Sequence, residues 1–545
     1  MQKIISITGI YMLPIGVIIS LLTNKLFHSI ARVLNLEYQP NYNLYILIAF
    51  APSLLLFVCN LFNLIIRGEK DFNIFSNFDK ASLSKDKRKV MHPKPDQKYL
   101  SKTCDGWTLG KFGNKFFRIP YDSHNVMSAT IIGAPGSGKT STLLTSLIYN
   151  LNFAKNDEKM TIFALDPKPE LYLLASDATS EKIKIIDPST NKGSGFDVYF
   201  GLNSHSSQDE VISRLRKIAD VVIQDSDEPI FSDSARNLFV GFMGCGFFLG
   251  LGFIDSIMKI VGVPMTDLIA EYLANQTLTT NYSKVTNYLR PYSGDQSDTL
   301  QSFEVTLRAS LNIFQTDSMK YKFQDCHDKT NPMELLEDTS IFLAVPDHLL
   351  SEYGVVFSLI TDLTLRALMS VPDIERKGKN QVYLLLDELG SLPKLPGLVD
   401  FLARGRSRGY TCWCCCQGLE QLKKYGLKGQ NGSQMIIDNT EVVIVFGAKD
   451  QSTLKLLSDW SGKYRETKHS SSHQGLIGNT SVSESVEYRN IIEPSDILKL
   501  RSNNEVLVFV EGRFYLIDRF PYFKIKKLKE KSDELLDKNK KGGYC

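Results

Sequence analysis

A chain of 545 residues exceeds what one hydrophobic core can organise and calls for about two to four domains. Its composition, 43% hydrophobic and 23% charged, is that of an ordinary globular protein. Nine cysteines without framework spacing exclude a disulfide scaffold, and a formal charge of only +3 requires any basic surface to be local.

Two runs without a charge, 4–22 and 44–66, come first. At ~1.5 Å rise per residue each is long enough to cross a hydrocarbon core of roughly 30 Å. Lys3 before the first run permits a cleaved signal peptide, but no A-x-A site follows and a second span comes soon after. The loop between the runs holds Lys25 and Arg32, whereas Arg67, Lys70, Lys80, Lys85, Lys87, Arg88 and Lys89 follow the second. The positive-inside rule then predicts a transmembrane hairpin over 1–66 with both ends in the cytoplasm. Residues 67–126 read as a membrane-proximal linker, polar to about 102 and containing Pro93 and Pro95, followed by a short hairpin over 107–120.

A strand predicted over 128–132 leads into Gly133-Ala134-Pro135-Gly136-Ser137-Gly138-Lys139-Thr140, with a helical segment from Ser141 onward. This fits G-x-x-x-x-G-K-[ST] in its required strand–loop–helix context. Glycines let the loop turn its N–H groups toward a β-phosphate, Lys139 reaches the β- and γ-phosphates, and the Thr140 hydroxyl binds Mg²⁺. The reading is an ATP site. The next strand, 160–165, closes in Asp166-Pro167-Lys168-Pro169-Glu170, and its place at the sheet edge favours a site role for Asp166 and Lys168 over a plain solvent turn. Together 127–204 form the first part of a nucleotide-binding domain.

Between 205 and 335 only helix-period patterns occur, at 209–223, 233–249, 265–274 and 299–313, which predicts an all-α insertion. Strand–helix alternation resumes over 336–523, with strands at 339–345, 381–386, 410–416 and 441–446, and near-continuous apolar strands argue a parallel sheet covered on both faces. The strand at 381–386 ends in Asp387, suited to a metal's shell, and Glu388, suited to orient or deprotonate water. A helix over 398–408 ends in Gly405-Arg406-Ser407-Arg408-Gly409. Arg406 there reads equally as a finger reaching a neighbouring subunit's site or as a cap facing the helix dipole. The strand 410–416 packs Cys412, Cys414, Cys415 and Cys416 as small buried hydrophobes, implying a reducing compartment, and delivers Gln417 to the edge that carries Lys139 and Glu388. Residues 468–485, rich in Ser, His, Gly and Thr, read as a mobile loop. Strands at 505–510 and 513–517 precede a charged tail, 524–545, which reads as a solvated helix in preference to a binding arm.

The order of these features resembles the TraG/TraD-type coupling proteins of type IV secretion systems, relatives of the FtsK and HerA DNA-pumping ATPases. The segment 382–426, with Leu-Asp-Glu-Leu-Gly-Ser-Leu-Pro-Lys-Leu-Pro, Gly-Arg-Ser-Arg-Gly and Gln417, is its most specific part. The resemblance implies an α/β, RecA-like P-loop NTPase with a helical insertion and an N-terminal two-helix membrane hairpin, assembled as a hexamer at the inner (cytoplasmic) membrane of a bacterium. It implies an ATP- and Mg²⁺-dependent motor that takes relaxase-bound single-stranded DNA, without sequence preference, into the secretion channel during conjugation. Lys139, Thr140 and Ser141 close the phosphate loop, Asp387 is the metal-shell acid, Glu388 the catalytic base, Arg406 the trans-acting finger and Gln417 the sensor. Two departures stand out: Pro169 occupies a place where the family has glycine, and only a short charged stretch follows the sheet. The alternative is a receptor or ATPase for secreted protein effectors that uses nucleotide mainly as an assembly switch.

Overall fold

Apolar, β-branched runs with no alternation can be satisfied only as inner strands, and here they form the middle of one sheet. The computed structural model describes residues 91–543 apart from 121–126, 155–159, 227, 295–296, 374–380, 427–430 and 473–480. In chain order the strands are β1 Leu100–Ser101, β2 Trp107–Phe112, β3 Lys115–Ile119, β4 Ala129–Gly133, β5 Met160–Asp166, β6 Ile183–Ile186, β7 Gly195–Phe196, β8 Lys329–Thr330, β9 Ser340–Ala344, β10 Gln381–Leu386, β11 Tyr410–Cys416, β12 Val442–Gly447, β13 Lys463–Ser472, β14 Ser481–Asn490, β15 Glu505–Val510 and β16 Arg513–Asp518. A 12-stranded sheet takes the order β1-β3-β2-β16-β15-β12-β4-β11-β10-β5-β9-β6. From β12 to β6 every pairing is parallel, and from β15 outward every pairing is antiparallel. The chain is therefore an α/β protein with a mostly parallel sheet.

Every residue of β4, β5 and β11 is buried. Each fully buried Leu, Ile or Val there contributes roughly 1.5–3 kcal/mol relative to exposure. Trp413 of β11 meets Trp107 of β2 at 4.5 Å between ring centroids, and Trp107 meets Tyr383 of β10 at 5.0 Å. The expected hairpin at 107–120 is thus part of the main sheet, joined through the Lys111–Asp518 pair of β2 and β16. The four clustered cysteines are buried and unbridged. Burial pushes the Cys416 thiol up to about 12, so it stays protonated.

One sheet face is covered by the helices Lys139–Asn152 and Lys526–Lys541, the other by the long helix Leu350–Ser370 and Leu398–Arg404. Among the described residues, only 347–370 is long and apolar enough to cross a membrane by length and composition, and it is mostly buried inside the domain. The runs at 4–22 and 44–66 lie outside the described residues.

Between β7 and β8 the helices Gln208–Val222, Pro229–Phe248, Phe253–Gly262, Met265–Ala274 and Asp298–Leu311 pack on one another. A Ser207–Glu210 capping box starts the first of them. The sequence shows no strand in this stretch, yet β7 and β8 pair in parallel and pin its two ends together. Two-residue strands carry no periodic signal. A second difference lies at 468–485: where described, this is not a mobile loop but the antiparallel ribbon of β13 and β14, in register from Lys463–Asn490 to Ser472–Ser481. Its polar residues give neither face an apolar stripe, so the period of two is invisible in the sequence.

The charged tail is the helix Lys526–Lys541, and it is docked. Leu528, Leu535 and Asn539 are fully or nearly buried. The Asn539 amide accepts from Ala178 N and donates to the carbonyls of Leu173 and Ser176, all at 3.0 Å.

Candidate nucleotide site

Strand β4 lies between β11 and β12, so its C-terminal end is flanked on both sides, and Gly133 there begins the phosphate loop. Ser137 N donates to Ala134 O at 3.1 Å, closing a turn over Pro135 and Gly136. Gly136 and Gly138 have φ of 69° and 97°, a region glycine enters without strain. The helix Lys139–Asn152 starts at once, so its unpaired N–H groups face the loop. Lys139 is 4% exposed, and its ammonium donates to the Gly133 carbonyl. Ser141 Oγ donates to Gly138 O at 3.0 Å. Ser137 Oγ is buried without a protein partner. A buried cation, an orphaned hydroxyl and a helix N-terminus at one loop form a cradle suited to a phosphate.

Opposite stands β10. The strand stops at Leu386, so Asp387 and Glu388 occupy the turn beyond it rather than the strand itself. Glu388 has φ 50°, a left-handed conformation that costs a non-glycine residue on the order of 1 kcal/mol. That bend sets Glu388 Oε1 3.8 Å from Lys139 Nζ. Gln417, just past β11, donates from Nε2 to Glu388 Oε2 at 3.2 Å. Lys139, Glu388 and Gln417, separated widely in sequence, therefore meet at one sheet edge. Asp387 is 7% exposed and accepts from Glu388 N at 3.0 Å. Burial, and then the charge of Glu388, push its carboxyl up to about 6 against the pull of Lys139. A buried acid that cannot ionise cheaply fits a divalent cation as its partner.

Asp166 ends β5 beside β10. Its carboxylate accepts from the backbone N–H of Leu171 at 2.8 Å, Tyr172 at 3.1 Å and Glu170 at 3.3 Å, capping the short helix Leu171–Ala175. Burial, opposed in part by these bonds, and the nearby Asp387 raise its carboxyl well above the usual range. Its contacts are those of a helix cap. Lys168 lies 3.8 Å from Asp347, both half-exposed.

The predicted helix 398–408 divides: an α-helix ends at Arg404 and a 3₁₀ turn spans Arg406–Arg408, because Gly409 takes φ 74°. Arg408 Nη1 donates to Arg404 O at 3.3 Å and its Nε pairs with Asp373 at 3.0 Å, a C-cap arrangement. Arg406 is exposed and pairs with Glu441 at 3.2 Å. Glu441 precedes β12 and binds Ser128 N at 2.8 Å, so this pair marks the N-terminal sheet edge. The length of β11, roughly 20 Å, separates it from its own chain's Lys139.

Sequence reasoning missed Arg519, whose Nη1 donates to the Ser137 carbonyl from 382 positions away. It missed Lys424 too, whose ammonium binds the Leu389, Gly390 and Leu392 carbonyls behind Glu388. Neither has a local motif; only the strand order β16-β15-β12-β4 brings Arg519 near the loop.

The family model for type IV secretory system conjugative DNA transfer matches residues 71–543. Among solved structures, the unbound monoclinic form of the bacterial conjugative coupling protein TrwBdeltaN70 superposes with a TM-score of 0.55 at 15% identity, covering 80% of this chain and 92% of that one. The plasmid coupling protein TrwB in complex with ADP and Mg²⁺ gives 0.55 at 15% identity, over 81% and 92%. TrwB in complex with a non-hydrolysable ATP analogue gives 0.54 at 16% identity over the same shares. At such identities these likenesses speak for the fold. No curated protein matches the chain.

Proposed function

The chain belongs to the type IV secretory system conjugative DNA transfer family, and from that premise we propose that it is a membrane-anchored coupling ATPase that drives DNA into a secretion channel. The observation that carries the ATPase reading is the meeting of Lys139, Glu388 and Gln417 over the phosphate loop. ATP is the substrate. Residues 133–141 cradle its phosphates, with Lys139 supplying charge. Thr140 and Asp387 hold Mg²⁺, which neutralises phosphate charge when bound. Glu388 orients and deprotonates the attacking water, and the Gln417 amide fixes the Glu388 carboxylate on the side facing Lys139. TrwB structures hold an ATP analogue, or ADP with Mg²⁺, on the same fold, which supports this assignment by analogy.

The RecA-like arrangement, the hexamer, the hairpin over 1–66 and the location at the inner membrane are part of the same proposal. So are the relaxase-bound single strand and the channel subunits as partners. In the assembly Arg406, which cannot reach its own Lys139, serves the neighbour's site, and opening of its pair with Glu441 frees it to do so. DNA is held by its phosphates, so its binding weakens steeply with salt.

Glu388→Gln keeps the side chain's shape and its acceptor for Gln417 while removing the base. We expect nucleotide affinity within about threefold of the parent and turnover lower by at least ~100-fold. Steady-state hydrolysis beside equilibrium nucleotide binding checks this; parental turnover would take Glu388 out of the reaction.

A further inference from the structure

The phosphate loop has a second positive wall that the motif does not announce. Asn504, held at φ 58° where asparagine is tolerated, follows the helix Pro494–Asn503. It grips Arg519 through three bonds: Arg519 N to Asn504 O at 2.8 Å, Arg519 Nε to Asn504 Oδ1 at 3.1 Å and Asn504 Nδ2 to Arg519 O at 3.0 Å. Arg501, in the last turn of that helix, accepts from Asn504 N through its carbonyl at 3.2 Å. The same asparagine thus anchors the Arg519 side chain and closes the end of the helix that carries Arg501.

Both guanidinium groups lie against the glycines of the loop. A β-carbon built on Gly138 would stand 2.6 Å from Arg519 Nη1, and one on Gly136 would stand 3.3 Å from Arg501 Nη2. Arg519 also donates to the Ser137 carbonyl. No ion pair to a carboxylate is formed by either arginine among the described residues. Burial and the like charge of Arg501 both work against the charge on Arg519. Lys139 and a helix N-terminus add further positive potential at the same loop. Clustering like charges around glycine backbone costs free energy in the empty chain, and a polyanion seated on the loop offsets it.

We propose that Arg501 and Arg519 bind the phosphate chain of the nucleotide in their own subunit, on the side of the loop away from Glu388. The inference rests on the nucleotide reading of 133–140. It makes the C-terminal strands part of the site, so that seating or losing a di- or triphosphate is felt at β15, β16 and the helix Pro494–Asn503. Arginine suits this place because its planar fork can keep the Ser137 carbonyl and still offer N–H groups to phosphate oxygens.

The test is calorimetric binding of Mg-ADP and Mg-ATP to the detergent-solubilised full chain at two salt concentrations. Parental protein is compared with Arg519→Gln, Arg519→Lys, Arg501→Gln and Lys139→Ala. We expect Arg519→Gln to weaken both nucleotides about tenfold or more, and exposed Arg501→Gln about threefold to tenfold. Arg519→Lys should recover part of the loss, and both glutamine variants should show a shallower salt dependence. Because Arg519 also braces the loop, its variant alone could fail by distortion. Arg501→Gln removes no backbone bond from the side chain and keeps the test sharp. If Lys139→Ala weakens binding while Arg501→Gln and Arg519→Gln bind like the parent, the proposal is overturned and the nucleotide site stands. If Lys139→Ala binds like the parent, the nucleotide reading itself falls.

Discussion

Asp387 shows how the site stores free energy in a single side chain. Its carboxyl, raised from the ordinary 3.8 to about 6 by burial and by Glu388, favours the protonated form in the folded chain. The sign follows: a group whose folded value is raised stabilises at pH below its unfolded value, and that contribution is lost as pH rises through about 6. At neutral pH the ionised acid therefore costs the ligand-free chain on the order of 3 kcal/mol, until a cation offsets it. Asp387→Asn should raise the ligand-free melting temperature at pH 7.5, raise it less at pH 5, and remove the Mg²⁺ dependence of nucleotide binding. Thermal unfolding at the two pH values, with and without Mg²⁺, reads all three; an equal or absent gain at both would show that the acid carries no such burden. The acidic pair and Lys139 were legible because glycine, lysine and carboxylates at motif spacing have few other uses. The left-handed turn at Glu388 was not, since nothing in Leu-Asp-Glu-Leu separates a strand end from a bend past it. Arg519 was hidden by 382 intervening positions and no motif.

At the scale of elements, patterns with an apolar period were readable and polar ones were not. Strands β4, β5, β10 and β11 follow their apolar runs within a residue or so of the expected bounds. The ribbon of β13 and β14 exposes Val486 and Tyr488 and carries cross-strand pairs such as Arg489–Glu466 at 3.0 Å. Its sequence therefore reads as loop. The tail helix was readable as a helix but not as docked, because its attachment depends on a polar residue. Asn539 is fully buried and ties the helix to the segment that Asp166 caps. Asn539→Ala would orphan Ala178 N and two carbonyls, costing about 3 kcal/mol. Hydrogen exchange should show protection of 526–541 falling well before the sheet loosens. Unchanged exchange there would mean Leu528 and Leu535 hold the helix unaided. Lys424 works similarly at the other side of the site: burial pushes its ammonium down to about 8, and three carbonyls behind Glu388 hold it in place.

For the whole molecule, the sheet order places Lys139, Glu388 and Gln417 on loops at one edge and Arg406 at the other. In the proposed mechanism a single chain carries the whole phosphate cradle, whereas an Arg406 contribution would require a second copy. The helical stretch between β7 and β8 enters and leaves through paired two-residue strands, and β8 is followed after one 3₁₀ turn by β9 of the main sheet. The central claim is that hydrolysis at this edge is coupled to DNA. The measurement that tests it most directly is ATP turnover by the full chain in lipid bilayers, with and without single-stranded DNA, beside Glu388→Gln. The account predicts that DNA raises parental turnover severalfold at low salt, that the gain fades as salt rises, and that Glu388→Gln stays silent in both conditions. Turnover that ignores DNA at every salt concentration, or that survives in Glu388→Gln, would contradict it.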